Sequence, residues 1–344
     1  MFEPKFTITN KILENIKRIG VIVADLNRQH FPKLILVKLE KTARISSSHS
    51  STSIEGNPLP LTDVKRIIQN QPENLRDSEK EVVNYNKILE LLDQGIKDND
   101  LKFGLPLILK IQKTVTKGLI NEFNIGKLRQ QPVFVNDPRL RKTVYLPPDY
   151  KDVQNLMDDL IGYANSNIKR LDSLILAGIF HKQFVIIHPF IDGNGRTARL
   201  ATKVLLAHMG LNTFNLFSFE NYYNNNVAKY FENVGLIGNY YEIKDQIDFT
   251  AWLEYFTDGI VDELLRVTKI LENEMVTPAN ELKDYHQKIL DFIKSNGFIK
   301  DSNYATLTNR AKPTRNQDFN KLIQIGLIQR FGRGRATYYK LKDK

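Results

Sequence analysis

Residues 184–206 read FVIIHPFIDGNGRTARLATKVLL and join two apolar segments through a polar turn. The turn holds a histidine, a carboxylate, two glycines around an asparagine and two arginines. A loop between two core segments needs turn residues, but it does not need this set of charged side chains. We therefore take this stretch as the centre of the fold and as the first candidate for its chemistry.

The glycines and arginines of this turn indicate a site for several phosphates. Successive backbone N–H groups across Gly193, Asn194 and Gly195 are able to form an anion-binding nest. A helix that begins directly afterwards adds its free N–H groups and the positive end of its dipole. Arg196 and Arg199 are three residues apart, so they share one helix face. Two guanidiniums beside such a nest indicate a polyphosphate ligand.

Asp192 and His188 add a metal ligand and a base. A carboxylate suits Mg²⁺, which normally accompanies di- and triphosphates. A histidine takes a proton from a hydroxyl near neutral pH. Together these groups indicate attack by a hydroxyl on a phosphate or nucleotidyl group. The plain alternative is a buried structural histidine beside a glycine turn, and His181 is interpreted as a core or orienting residue.

The stretch HPFIDGNGRTAR resembles the signature of the Fic family, H-x-F-x-[DE]-G-N-G-R-x-x-R, and matches it in full. The resemblance implies an all-helical core with a β-hairpin flap that docks the target segment. It also implies transfer of AMP from ATP to a protein hydroxyl, with release of pyrophosphate. The expected fold is therefore mainly α, with a helical Fic core, the flap and a C-terminal winged-helix domain.

Carried over by position, the resemblance gives each residue of the turn a role. His188 is implied as the catalytic base for a Ser, Thr or Tyr hydroxyl, and Asp192 as the Mg²⁺ ligand. Phe190 is implied as the packing residue, and Gly193, Asn194 and Gly195 as the anion hole. Arg196 and Arg199 are implied as phosphate clamps, with Arg199 towards the γ-phosphate. The segment SFENYYNNNVAKYF resembles the helix that walls the nucleotide, with Ser218, Asn224 and Tyr230 near the matching places.

The stretch GKLRQQPVFVNDPRLRKTVYLPPDY, residues 126–150, predicts two short strands joined by a turn. It resembles the flap and its start, with Gly126 and Arg129, and the residues expected to dock the target are Val133, Phe134 and Val135. The alternative is a hairpin that only decorates the surface. One departure from the family lies nearby, because Gln112 stands where the family often has a histidine.

A second motif lies in SSTSIEGNP, residues 50–58. Some Fic proteins carry an inhibitory helix with the pattern [ST]-x-x-x-E-[GN], which Ser51, Glu55 and Gly56 fit. A carboxylate near Arg199 would compete with the γ-phosphate for that guanidinium. The alternatives are a serine-rich helix end stopped by Gly56 and Pro58, and a glutamate that positions water for removal of AMP.

Composition narrows the remaining possibilities. The chain has 344 residues, is 42% hydrophobic and contains no cysteine, which excludes disulfides and thiolate chemistry. It shows no apolar run of roughly 20 residues and no signal peptide, so we expect a cytoplasmic protein without a membrane partner. Net charge is +10. Residues 281–344 hold 14 Lys/Arg and 6 Asp/Glu, which indicates a polyanionic partner there.

This basic end resembles a winged helix-turn-helix over residues 285–342. Phe319, Leu322 and Ile323 form an apolar stripe, while the other helix face carries Asn316, Gln317, Asn320, Lys321 and Gln324. DNA is one expected partner, with Arg333 and Arg335 at the hairpin tip contacting backbone phosphate or a minor groove. The alternative is a module that binds protein or packs on the core.

The resulting hypothesis has three regions: a helical region with the inhibitory motif (1–100), the Fic core (101–275) and the winged helix (285–344). The leading function is an ATP- and Mg²⁺-dependent protein adenylyltransferase, inhibited by Glu55, that acts on an unidentified target protein. The alternatives are a bifunctional or AMP-removing enzyme, or a DNA-binding regulator with a nucleotide-sensing core. A homodimer is left open.

Overall fold

The computed structural model describes residues 2–29, 33–70, 72–137, 142–210, 218–275, 282–324 and 326–342. The chain forms two compact units. The first comprises Met1–His30 and Glu40–Thr268, and the second Phe31–Leu39 and Lys269–Lys344. The division into three regions inferred from the sequence stays a prediction.

The fold is mainly helical, as predicted. The helices are α1 (Asn10–Arg28), α2 (Lys33–Ile54), α3 (Leu61–Asn70), α4 (Asp77–Lys97), α5 (Leu105–Val115), α6 (Val153–Asn167), α7 (Ser173–Ile187), α8 (Asn194–His208), α9 (Glu220–Asn225), α10 (Val227–Val234), α11 (Tyr240–Ile243), α12 (Thr250–Met275), α13 (Asp284–Asn296), α14 (Asp301–Leu307) and α15 (Lys312–Gln324). The strands are β1 (Val135–Asp137), β2 (Lys142–Leu146), β3 (Gly238–Asn239), β4 (Ile328–Phe331) and β5 (Tyr338–Leu341).

Helix α7 is the centre of the first unit. Thirteen of its 15 residues are buried, as expected for a helix that is apolar on all sides. It packs against α6 and α8, and α8 in turn packs against α4 and α5. Helix α12 approaches α7 closely because Gly178 has no side chain, and Trp252 Nε1 donates to the Gly178 carbonyl at 2.7 Å. The polar turn after α7 is therefore mounted on the most buried helix of the unit.

The predicted hairpin is present as an antiparallel pair of β1 and β2. Its turn, residues 138–141, lies outside the described residues. Strand β3, which the sequence did not predict, adds to β2 in parallel and completes a three-stranded sheet. The buried Tyr145 of β2 donates its hydroxyl proton to the Ile186 carbonyl at 2.9 Å. The hairpin is thus fixed to the end of α7.

Helix α2 ends at Ile54, just before the stop at Gly56 and Pro58 that the sequence offered as an alternative. Gly56 adopts a φ of +95°, and its N–H bonds to the Ser53 carbonyl at 2.9 Å. The Asn57 N–H bonds to the Thr52 carbonyl at 3.1 Å, which completes a Schellman motif. Glu55 is therefore the C-cap residue, held between the helix and a rigid turn.

The second unit contains α13, α14 and α15 followed by the β4–β5 hairpin. Gly297 ends α13 in the left-handed region. Its core includes Phe319, which stacks on Tyr339 with ring centroids 4.1 Å apart. The exposed face of α15 carries Asn316, Gln317, Asn320 and Gln324. The side chain of Arg335 lies outside the described residues, and the winged-helix assignment stays a prediction.

Candidate active site

His188 ends α7 in a left-handed conformation, with φ 51° and ψ 59°. This region is sparsely populated by residues other than glycine, so the surrounding structure must hold it. The His188 N–H still bonds to the Phe184 carbonyl at 3.0 Å. The chain thereby turns sharply from α7 towards α8 at the residue predicted to be the base.

Asn194 closes the turn. Its Oδ1 accepts the Phe190 N–H at 2.9 Å, and its Nδ2 donates to the Phe190 carbonyl at 2.8 Å. Phe190 itself is fully buried and lies against Phe184. The predicted packing residue and the central residue of the predicted anion hole therefore fix the loop together.

The two glycines leave room at the start of α8. Gly193 is the N-cap, with φ +81°, and an added Cβ there would lie 2.9 Å from Thr116 Cγ2. An added Cβ at Gly195 would lie 2.1 Å from Glu55 Oε1. The first N–H groups of a helix have no partner within that helix, and its N-terminus attracts anions. A carboxylate of the chain itself therefore lies at the predicted phosphate site.

The imidazole of His188 is half-buried and positioned through its backbone. Burial lowers its pKa, which the contact with the Val185 carbonyl only partly opposes. The ring is therefore neutral near pH 7. Nδ1 lies 3.3 Å from that carbonyl, so we place its proton there. This leaves the Nε2 lone pair to accept a proton.

Arg129 connects the flap to His188. The guanidinium is buried, and its Nε donates to the His188 carbonyl at 2.8 Å. One terminal nitrogen donates to the Pro148 carbonyl at 2.5 Å, and the Arg129 N–H bonds to the Pro189 carbonyl at 2.9 Å. The residue that the sequence placed only at the start of the flap thus positions the candidate base.

Gln112 joins the same region from α5. Its Oε1 accepts the Gly126 N–H at 2.6 Å, and its Nε2 donates to the Asp192 carbonyl at 3.3 Å. The glutamine side chain therefore bridges Gly126, at the start of the flap, and Asp192, in the turn between α7 and α8. This gives a structural role to the departure from the family pattern.

Arg199 is fully buried and bound by the predicted inhibitory segment. Its Nε donates to Ser51 Oγ at 2.8 Å, and one terminal nitrogen donates to the Ser51 carbonyl at 2.9 Å. The same nitrogen lies 2.7 Å from Glu55 Oε1. Burial alone would lower the pKa of Arg199, but the carboxylate of Glu55 and the neighbouring Tyr230 and Tyr85 together outweigh it, and the pKa is raised. The predicted clamp is therefore occupied by the chain itself.

Arg196 is also buried and lies between two carboxylates. One terminal nitrogen is 2.7 Å from Glu81 Oε1, and the other is 2.8 Å from Asp192 Oδ2. Glu81, on α4, was missed by the sequence analysis. Its segment SEKEVVNYNK reads as an ordinary helix with a charged face. Only the tertiary contact between α4 and α8 reveals that this carboxylate belongs to the site.

The serine-rich part of α2 is bound by polar contacts. Ser47 Oγ donates to Ser218 Oγ at 2.7 Å, and Ser218 Oγ donates to Glu220 Oε2 at 3.0 Å. Tyr85 donates its hydroxyl proton to the other oxygen of the buried Glu220 at 2.9 Å. Small side chains let α2 approach the segment before α9, and the hydrogen bonds fix its register.

His181 orients Tyr230 beside Arg199. Burial lowers the pKa of His181 to about 3, so the ring is neutral. Thr202 donates its own proton to a backbone carbonyl and therefore accepts from His181 Nδ1 at 3.1 Å. Nε2 then accepts from the Tyr230 hydroxyl at 3.1 Å, and that oxygen lies 3.5 Å from an Arg199 nitrogen. The orienting role inferred for His181 thus has a geometric basis. Asn224, which the sequence analysis placed near the wall of the nucleotide site, lies half-buried on α9.

Asp192 fits the predicted metal role in its chemistry. Its side chain is 45% exposed, so the carboxylate is partly open to solvent in the turn before α8. Within the described parts of the chain, no group of three or more His, Asp or Glu residues is arranged to hold a metal ion. Mg²⁺ bound with a nucleotide needs only one or two protein carboxylates, since phosphates and water fill its other positions.

The flap residues lie at the surface beside a small cavity. Phe134 is 61% exposed, and Val133 is half-buried. Together with Pro147, Pro148 and Tyr241 they line an open cavity of about 170 Å³.

Among the described helices, none has the length and apolar character needed to cross a membrane.

The site thus resembles those of helical proteins in which a histidine, a glycine loop and two arginines bind phosphates. The family model of the Fic/DOC family matches residues 102–206. The match includes α5, the hairpin, α6, α7 and all of α8 except its last two residues, and therefore every residue of the HPFIDGNGRTAR stretch.

The chain is also similar in sequence to curated proteins that carry the Fic name. Protein adenylyltransferase Fic of Aedes aegypti is 26% identical over 220 residues, which is 58% of this chain and 42% of the relative. The protein of the same name from Drosophila erecta is 28% identical over 196 residues, which is 54% of this chain and 36% of the relative. The matched segments span less than half of these relatives.

Solved structures show the same fold. A Fic family protein from Desulfovibrio desulfuricans G20 superposes with a TM-score of 0.65 at 21% identity, covering 100% of this chain and 99% of that protein. Fic-1 of C. elegans (residues 134–508) gives a TM-score of 0.60 at 19% identity, covering 76% of this chain and 73% of that protein. At such low sequence identity, the structural similarity shows a shared fold and nothing more.

Proposed function

We propose that this chain is a protein adenylyltransferase that transfers AMP from ATP to a hydroxyl of a target protein. The observation that carries the proposal is the neutral His188 in the turn that leads into the N-terminus of α8, whose Arg196 and Arg199 are both buried. The names of the curated relatives point to the same activity.

In the proposed reaction, the hydroxyl oxygen of a target Ser, Thr or Tyr attacks the α-phosphorus of ATP. The bond from that phosphorus to the bridging oxygen breaks, and pyrophosphate leaves. His188 Nε2 accepts the hydroxyl proton, while Arg129 holds the His188 carbonyl and so the position of the ring. The N–H groups at the start of α8 bind the phosphates, with Arg196 and Arg199 as clamps.

Asp192 is the residue that would hold Mg²⁺. When bound, the ion offsets negative charge on the phosphates. The flap residues Val133, Phe134 and Val135 are proposed to dock the target segment. Because Tyr145 ties the hairpin to α7 at Ile186, a docked segment would lie close to His188.

Glu55 is proposed to inhibit the enzyme. Its carboxylate contacts Arg199 and lies against Gly195, where a phosphate would otherwise bind. Ser51 holds the same guanidinium through two hydrogen bonds. Removal of AMP from a modified protein, with Glu55 positioning water, is the alternative use of the same geometry.

The decisive experiment incubates the Glu55→Gly variant with a cell lysate and ATP labelled at the α-phosphate. We expect labelled protein bands and release of pyrophosphate. ATP labelled at the γ-phosphate should give no label beyond the lysate's own kinase background, which is measured with Glu55→Gly combined with His188→Ala, because that phosphate leaves. Extra γ-label above this background would replace AMP transfer by phosphorylation, and no α-label above it with a well-folded Glu55→Gly variant would refute both.

A second proposed activity is DNA binding by the second unit as a winged helix. Its support is α15, which buries Phe319 and Leu322 and exposes the polar face noted above. Two basic residues of this unit are already used internally. Arg310 pairs with Asp318, and Arg315 pairs with Asp301.

A further inference from the structure

We propose that Glu81 is a second inhibitory carboxylate, which the inhibitory segment holds on Arg196 through Asn57. The inference rests on the proposed nucleotide site and adds to the role of Glu55. The two clamps would then be blocked by two different carboxylates of the same chain. One belongs to the turn after α2, and the other belongs to α4.

The contacts form a continuous path. Glu81 Oε1 lies 2.7 Å from an Arg196 nitrogen. Glu81 Oε2 accepts from Asn57 Nδ2 at 2.6 Å, and the same amide donates to the Ser78 carbonyl at 2.8 Å. Glu81 is therefore held at both oxygens, by the clamp on one side and by the inhibitory segment on the other.

Asn57 and Glu55 belong to one rigid turn. The Schellman motif binds the Asn57 N–H to the Thr52 carbonyl, and Gly56 between them takes the left-handed conformation. Asn57 Oδ1 also accepts the Leu59 N–H at 3.1 Å. A movement that withdraws Glu55 from Arg199 therefore also withdraws the amide that holds Glu81. Release of the two clamps is coupled by the covalent chain.

Charge decides the direction of the effect. Arg196 and Arg199 contribute two positive charges, whereas Glu55, Glu81 and Asp192 contribute three negative charges in direct contact with them. A polyphosphate bound at this place would meet an excess of negative charge. Because Arg196 and Arg199 are both buried, water screens these interactions less than at the surface. Neutralising Glu81 should therefore strengthen polyphosphate binding.

The test is a double-mutant cycle on the full-length chain with Glu55→Gly, Glu81→Gln and both together. Binding of ATP and of AMP is measured by calorimetry at fixed Mg²⁺. We expect Glu81→Gln to tighten ATP binding roughly tenfold in the Glu55→Gly background, the scale of a typical coupling between sites. AMP binding should change little, because AMP lacks the β- and γ-phosphates.

Two further variants keep the result interpretable. Asn57→Ala should reproduce part of the effect of Glu81→Gln, because the glutamate loses its donor. Glu90→Gln removes the same charge from a more exposed position of α4 and should leave ATP binding unchanged. Weaker or unchanged ATP binding by the folded Glu81→Gln variant would show that Glu81 only positions Arg196, which overturns the proposal. If ATP does not bind Glu55→Gly at all, the proposed nucleotide site fails instead.

Discussion

The carboxylate of Glu55 lies 2.7 Å from the guanidinium of Arg199, although Glu55 follows the end of α2 and Arg199 lies 144 residues later on α8. The arginine is fully buried, whereas 29% of the glutamate side chain is exposed. The same oxygen fills the space in front of Gly195. One carboxylate therefore pairs with a clamp and covers the helix N-terminus, which are the two features expected to bind a γ-phosphate.

The first prediction concerns Glu55→Gly. Loss of the carboxylate frees Arg199 and the start of α8, so AMP transfer should rise by about tenfold or more, most visibly as self-modification. The variant without nucleotide should also melt at a lower temperature than the wild type, because a buried arginine loses its partner. ATP should raise its melting temperature more than that of the wild type.

Its controls separate inhibition from other roles. Arg199→Ala should not mimic Glu55→Gly, since it removes the partner of both the inhibitor and the nucleotide. The combination of Glu55→Gly and His188→Ala should be silent, because release of inhibition does not replace the base. If Glu55→Gly leaves transfer unchanged but slows loss of AMP from a modified protein, Glu55 is a removal catalyst.

The second prediction concerns His188→Ala in the Glu55→Gly background. Removal of a general base typically lowers a rate by about 10² to 10⁴-fold, while ATP binding should persist because the phosphate contacts are made by α8. Transfer is followed with α-labelled ATP, and binding by calorimetry. Undiminished labelling by the folded variant would show that another group accepts the proton.

The third prediction is the pH dependence of transfer by Glu55→Gly. Because burial lowers the pKa of His188 below its usual 6.5, the ring is neutral and active at pH 7. The rate should stay level as pH falls towards 6.5 and decrease only at lower pH, where the ring gains a proton. A single-turnover rate profile measures this. A decrease that begins above pH 7 would mean that His188 has a raised pKa, contrary to its surroundings.

The fourth prediction concerns Arg129→Lys. Lysine keeps the charge but loses the planar fork that reaches the His188 and Pro148 carbonyls. Displacement of the base by about 1 Å lowers a rate by roughly 10²-fold, whereas ATP binding should change little. Steady-state rates and nucleotide affinity are compared with those of Lys127→Gln, a nearby variant that leaves these carbonyl contacts intact. A loss of affinity equal to the loss of rate would contradict a positioning role.

The arrangement of the candidate site was largely predictable, because its residues are close together in sequence. His188, Asp192 and the glycine loop occupy one turn, and their residue types already indicate phosphate chemistry. The mainly helical fold and the hairpin strands follow from periodicity and turn residues. The pairing of Glu55 with Arg199 agrees with what the family resemblance implied.

The rest depended on tertiary contacts that leave no local signal. Glu81 lies on a helix whose charged face resembles many solvated faces, and only packing of α4 on α8 brings it to Arg196. The two-residue strand β3 is too short to show alternation. The end of α2 at Ile54, in contrast, has a local signal that the sequence analysis named, because the positive φ of Gly56 stops the helix before Pro58 acts.

The last prediction concerns the second unit. If it binds DNA, the full-length chain should shift duplex DNA, and its affinity should fall steeply with salt because phosphate contacts release counterions. Replacing Arg333 and Arg335 by alanine should reduce the slope of log affinity against log salt by about 2, one for each lost phosphate contact. The matched control replaces Lys17 and Arg18, two exposed cations of α1 in the first unit, and should leave the slope unchanged. Fluorescence anisotropy between low and moderate salt gives both quantities. Absence of binding at low salt would favour the alternative, a module that docks protein through the polar face of α15.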